Sequence, residues 1–307
     1  MAIASPTRNR GHARWATWRR RAYVPVMLAP VVLTLGVLFF GSLLVALLQS
    51  FGHAPIYGIT EFPTLKHYRS LFALPGFWAS VGLTFYYAIV PTIVGTIASL
   101  YLALTLRRRF RGRRFVQFVY KLPLMIPYLV GVALTIVLFG NGGIAARTLF
   151  ALGVIDSTGD FPRLIYSHAG WGVMFVYLWK QIPFTTLILY SVLMGLGKES
   201  EEAAVTLGAG RWQTFWHVTL PQIMPGVVSA TIIVFAFNFG SFEVPFILGG
   251  GFPNTLPVEA WRAFDDADYS KRLRAMAIVM FIGVLSSAVL ITYLAAYRRF
   301  ERLRGRQ

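Results

Sequence analysis

Along this chain, long runs of apolar residues alternate with short basic or glycine-rich connections. A helix needs about 20 apolar residues to cross the hydrocarbon core of a bilayer. Six segments are long enough: 24–48, 77–106, 115–139, 169–195, 222–248 and 274–297. They predict an all-α membrane protein with six transmembrane helices. Two of the runs are interrupted, the third by Pro123 and Pro127 and the fourth by Lys180 and Pro183. Proline is tolerated inside a span where neighbouring groups satisfy the freed carbonyl, so both read as kinked spans. The first run, from Tyr23 to Leu48, exceeds the roughly 7–15 residues of a signal-peptide core and reads as an uncleaved span.

Composition supports this reading. Of 307 residues, 56% are hydrophobic and 13% charged, whereas soluble domains carry about 25% charged residues. The formal charge of +17 would suggest nucleic acid in a soluble protein, but here the arginines crowd the ends of apolar runs, where they orient spans and meet anionic lipid. One side holds Arg8, Arg10, Arg14 and Arg19–Arg21, the 107–114 run RRRFRGRR, Lys121, Lys198, Arg211 and the arginines at 298, 299, 302, 304 and 306. The other holds only Lys66, Arg69, Arg147, Arg163, Arg262, Lys271, Arg272 and Arg274. The first side is expected to be cytoplasmic, with both termini inside, as an even number of spans requires. The expected organisation is a basic tail over 1–22, a transmembrane domain over 23–297 and a second basic tail over 298–307.

Catalytic chemistry is not visible. No phosphate-binding loop, HExxH or EF-hand pattern occurs. Cysteine is absent, and His12, His53, His67, His168 and His217 are divided between the two expected sides. No catalytic, cofactor or metal site is expected, and any ATP hydrolysis that energises the protein would occur on another polypeptide.

The segment SEEAAVTLGAGRWQTFWHVTLP, residues 200–221, is amphipathic and falls on the expected cytoplasmic side between spans four and five. Ser200 is placed to cap a helix with Glu201 and Glu202 in its first turn. Gly208 and Gly210 are suited to a turn. A second helix is expected over 211–218, with Trp212, Phe215 and Trp216 on one stripe, and Pro221 suits the first turn of the next span. Read physically, the segment is either a linker whose aromatics rest in the lipid interface or a knob that fits a partner.

Glu202-Ala203-Ala204, Gly208 and Val218-Thr219-Leu220-Pro221 resemble the EAA-x3-G-x9-I-x-L-P signature of binding-protein-dependent ABC importer permeases, with Val218 in place of the usual isoleucine. The resemblance implies the type I importer permease fold with a cytoplasmic coupling helix in the 198–221 loop, in a prokaryotic inner membrane. Glu202, Ala203, Ala204, Gly208, Val218, Leu220 and Pro221 would then couple the chain to an ATPase. The implied partners are two ATP-binding subunits, which would hold ATP and Mg, a second permease chain or another copy, an extracytoplasmic solute-binding protein and membrane lipid, with no nucleic acid. A secondary transporter or channel, or a membrane-anchored scaffold, is the different-class alternative.

For the solute, EAAVTLGA together with LPLMIP at 122–127, WKQIPF at 179–184 and FGSFEVPFILGG at 239–250 resembles the spermidine/putrescine branch, with sugar, iron, thiamine and phosphonate permeases as alternatives. Glu243 and Lys180 are the ionisable residues expected inside spans. Such groups line a pathway or pair with one another, so Glu243 is a candidate cation attractor and a Glu243–Lys180 ion pair is the alternative. Phe235, Phe237, Phe239, Phe242 and Phe246 could stack on an organic cation, although core or lipid packing is the simpler reading for most.

Overall fold

A computed structural model describes residues 10–304, with side chains from Tyr23 onward except those of 24, 300, 301, 303 and 304. The described chain is helical apart from one short hairpin, His53–Ala54 (β1) paired antiparallel with Ile59–Thr60 (β2). Helix α1 spans Arg10–Ser50, and α2 (Lys66–Phe72) and α3 (Phe77–Arg107) follow the hairpin. Four shorter pieces come next: α4 (Arg113–Val119), α5 (Leu122–Met125), α6 (Tyr128–Phe139) and α7 (Ile144–Ala151). Then come α8 (Trp171–Gly195), α9 (Glu199–Thr206), α10 (Arg211–Thr214), a π-helical turn (Phe215–Thr219) and α11 (Leu220–Gly240). The chain closes with α12 (Glu243–Leu248), α13 (Leu256–Phe264) and α14 (Tyr269–Arg304).

Among the described residues, six segments are long and apolar enough to cross a membrane: Pro25–Ser50, Phe77–Arg107, Tyr128–Ala151, Trp171–Gly195, Arg211–Gly240 and Tyr269–Arg299. The fourth is the centre of the bundle, with 61% of its apolar window buried, against 6% for the first. Helix α8 packs against α3, α6 and α11. Close approach is achieved with small residues, as is usual between membrane helices. A Cβ at Gly131 of α6 would lie 2.9 Å from the Trp179 ring of α8, and one at Gly226 of α11 would lie 2.9 Å from Val192. Ala103, Leu189, Leu193 and Ile223 form one buried cluster where α3, α8 and α11 meet. At the other end, Leu71, Phe77, Leu256 and Ile278 join α2, α3, α13 and α14.

Two expected domain boundaries fall inside helices. Helix α1 begins at Arg10 and runs unbroken through the expected boundary at 22 into the first span; Arg8 lies outside the described residues. In the C-terminal region, α14 continues through the expected boundary at 298 to Arg304, and Arg306 falls outside the described residues.

The expected third span, 115–139, is broken. Proline disfavours helical angles in the residue before it, and Ile126 is extended at φ −91°, ψ 127°, so the helix restarts at Tyr128 after Pro127. The crossing segment shifts to Tyr128–Ala151. The fifth expected span, 222–248, stops at Gly240, where Ser241 is extended at ψ 128°. Pro245 lacks the N–H that a continuous helix would direct at the Ser241 carbonyl. The chain therefore turns, and Glu243 opens the separate helix α12.

Candidate functional site

Helix α9 is short and acidic at its start, with Glu199, Glu201 and Glu202 in its first turn, where negative charge opposes the positive end of the helix dipole. Lys198, not Ser200, is the N-cap residue, and no side chain caps the end. Starting the helix two residues earlier brings Glu199 into that acidic turn. At its C-terminus the Gly208 N–H donates to Val205 O at 2.9 Å and the Ala209 N–H to Ala204 O at 3.0 Å. This crossed pair is the Schellman arrangement, which needs a left-handed residue after the cap; Gly208 supplies it at φ +87°.

The chain re-enters helix at Gly210, whose N–H donates to Gln213 Oε1 at 3.0 Å. The expected free-standing helix over 211–218 does not occur. Instead α10 passes through the π turn directly into α11, with the Leu220 N–H donating to Phe215 O. The cause is Pro221, which has no N–H for the His217 carbonyl, so the ladder widens by one residue rather than breaking. The expected residues Val218, Leu220 and Pro221 thus lie where the segment becomes the fifth span. Trp212, Phe215 and Trp216 form a ring cluster with centroids 5.4–6.0 Å apart.

One carboxylate ties this segment to the bundle. Glu201 Oε1 accepts from Arg107 Nη1, at the last residue of α3, at 2.5 Å and from Thr219 Oγ1 at 2.7 Å. The Arg107 guanidinium also donates to the Gly197 carbonyl. Only 10% of the Arg107 side chain and 26% of Glu201 are exposed, so water screens this pair less than a surface pair. One side chain therefore links α9, α3 and the start of α11. In sequence, Arg107 is one member of a basic run and Glu201 a partner of the helix dipole. The available signal was an arginine ending a span beside an acid-rich, motif-bearing loop.

The remaining motif side chains divide: Val218, Leu220 and Pro221 are half-buried, whereas α9 is largely outward-facing. Glu202 and Ala203 are exposed and Ala204 is half-buried, while Val205 is 59% and Leu207 89% exposed. Between this segment and α3 lies a cavity of about 1270 Å³, lined by Tyr101 and Leu104 on one side and Glu202, Val205 and Trp212 on the other.

The two candidate pathway residues do not meet. Lys180 is buried in α8 and donates through Nζ to Pro123 O at 2.6 Å and Ile126 O at 2.5 Å, with its ammonium 4.9 Å from the Tyr128 ring centroid. It fastens the break between α5 and α6. Glu243 is exposed at the start of α12, and among the described residues neither it nor Lys180 is in an ion pair. The five phenylalanines also separate. Phe235 and Phe239 pack in a core cluster with Ala88, Phe237 stacks on Tyr128, and only Phe242 and Phe246 stack beside Glu243.

Comparison with known proteins agrees with this architecture. The sn-glycerol-3-phosphate transport system permease protein UgpA of Escherichia coli is 28% identical over 299 residues, covering 92% of this chain and 97% of that protein. The trehalose/maltose transport system permease protein MalF of Thermococcus litoralis is 26% identical over 243 residues, 78% of this chain and 81% of its own. The sulfate permease CysW of Synechocystis is 28% identical over 214 residues, 68% of this chain and 74% of its own. Among solved structures, a chain of a bacterial ABC transporter that imports the acidic polysaccharide alginate superposes with a TM-score of 0.76 at 18% identity, over 94% of this chain and 99% of that one. The model of the binding-protein-dependent transport system inner membrane component family matches residues 92–304. The chain belongs to that family and is a multi-pass inner-membrane permease of an ABC importer.

Proposed function

We propose that the exposed face of α9 docks on a separate ATP-binding subunit, and that ATP-driven movement there reaches the bundle through Arg107, Thr219 and the unbroken passage from α10 into α11. Glu202, Ala203, Ala204 and Leu207 form the docking surface, and Gly208 sets its angle. Two ATPase copies, a second permease chain and an extracytoplasmic binding protein complete the importer, with both termini on the ATPase side. The observation that carries this reading is the Glu201 carboxylate, which fastens an otherwise protruding helix to two spans.

For the solute, the polyamine reading rests on the four resembling strings and on Glu243 as a cation attractor inside a span. With Glu243 exposed outside α11, a carbohydrate or carbohydrate phosphate is the better reading. It is supported by two relatives that align over most of both chains.

The test is co-purification with the cognate ATP-binding subunit, followed by uptake into proteoliposomes containing the binding protein. Wild-type chain should retain the ATPase, and Glu202→Lys should release it while melting at the wild-type temperature. Retention by Glu202→Lys would remove the docking assignment. Uptake of putrescine with none of trehalose or glycerol-3-phosphate would reinstate the polyamine reading.

A further inference from the structure

The connection between α3 and α4 carries six arginines in eight residues, 107–114. Arg107 is taken by Glu201, but among the described residues none of Arg108, Arg109, Arg111, Arg113 and Arg114 is in an ion pair. Three of these five converge. Arg109, Arg113 and Arg114, with Gln117 of α4 and Tyr190 of α8, line a cavity of about 590 Å³. The cavity has a fixed wall: Arg113 Nη2 donates to the Tyr190 hydroxyl, and Gln117 Nε2 reaches the same oxygen at 3.5 Å. Arg113 Nε is buried without a hydrogen-bond partner. This is a concave, strongly cationic site with donor capacity left over, the chemistry that recognises a phosphate.

Its position selects the kind of phosphate. The arginines begin where the α3 span ends at Arg107, and Tyr190 lies within the last turns of the α8 span. Beside the cavity, Phe115 is 70% and Phe118 63% exposed, with Val119 and Leu122 also exposed. Aromatic and aliphatic side chains exposed at the end of spans, next to arginines, suit the boundary between headgroups and acyl chains. Soluble phosphate compounds make no use of such a surface. We propose that this cavity is a headgroup site for an anionic phospholipid, its phosphodiester held by Arg109, Arg113 and Arg114 and its acyl chains against Phe115 and Phe118. The bound lipid would brace the stretch that begins at Arg107, the residue clasping Glu201. The proposal rests on the span assignment and not on the ATPase reading.

Native mass spectrometry of the detergent-purified chain tests it, with phosphatidylglycerol and phosphatidylcholine of matched acyl chains, and inorganic phosphate as a separate arm. The wild type should retain phosphatidylglycerol in preference to phosphatidylcholine. Arg109→Gln/Arg114→Gln should weaken that retention roughly 30-fold, the scale of two arginines at an anionic surface. Arg108→Gln/Arg111→Gln, which removes the same charge outside the cavity, should leave it within a few-fold. Equal loss from both pairs would show diffuse attraction and overturn the site. Equal retention of the two lipids, or displacement of the lipid by inorganic phosphate alone, would overturn it too. The melting temperature of the wild type, expected to rise more with phosphatidylglycerol than with phosphatidylcholine, gives a reading that depends on no variant.

Discussion

A lysine within a span and a helix broken within the bundle are each unfavourable alone. The ammonium loses hydration and the carbonyls at the break lose partners. Here they meet: Lys180 Nζ donates to the carbonyls of Pro123 and Ile126, and the Tyr128 ring covers it. This arrangement predicts that Lys180→Met, similar in length but without donors, destabilises the chain by about 1–3 kcal/mol through the orphaned Ile126 carbonyl, since Pro123 O keeps the Ile126 N–H. Glu243→Gln should change stability by less than about 0.5 kcal/mol, as surface substitutions do. Thermal unfolding of both variants in one detergent is the measurement. Matched losses would point instead to a Glu243–Lys180 ion pair. The residues of this contact were visible in the sequence, but their pairing was not. Hydropathy is a local property, whereas the partner of a buried charge is set by which spans pack together.

Helices α9 and α10 show how far sequence reaches at the level of elements. The acidic first turn, the glycine turn and the aromatic stripe follow from neighbours a few residues apart, and the signature spacing fixed their place in the chain. What escaped was the continuity of α10 with α11. It depends on the ladder widening by a residue before Pro221, and one helix end there looks much like another in sequence. The same limit hid the stop at Ile126, which reads as part of a kinked span, and the stop at Gly240, which reads as the interior of a continuous one. Gly208 separates backbone from contact effects, because a Cβ built there meets nothing within 4 Å while φ is +87°. A left-handed residue costs most side chains about 1–2 kcal/mol, and Asn less. Gly208→Val should therefore lower solute-stimulated ATPase activity of the assembled importer, with Gly208→Asn nearer the wild type. Equal activity in the two variants would mean that the turn angle does not matter for coupling.

Burial across the whole molecule is lopsided, and that asymmetry says which spans this chain stabilises by itself. Helix α8 is packed on several sides, and Leu189 is fully buried within it. Helix α1 touches chiefly α14, and Leu33 and Phe40 are 68% and 67% exposed. Since lipid tails are as apolar as leucine, exposure to lipid carries no hydrophobic penalty, and packing alone decides the cost of truncation. Leu189→Ala leaves a cavity between α3, α8 and α11 and should cost about 2 kcal/mol or more. Leu33→Ala leaves none and should stay within about 0.5 kcal/mol in the isolated chain. Repeating both melts on the assembled importer extends the comparison. If α1 lies against a second permease chain there, Leu33→Ala becomes destabilising only in the assembly, while Leu189→Ala costs the same in both. Unchanged melting of Leu33→Ala in both states would leave lipid as the neighbour of this face. Either outcome locates the α1 face relative to the interface between the two permease chains, through which the solute would pass.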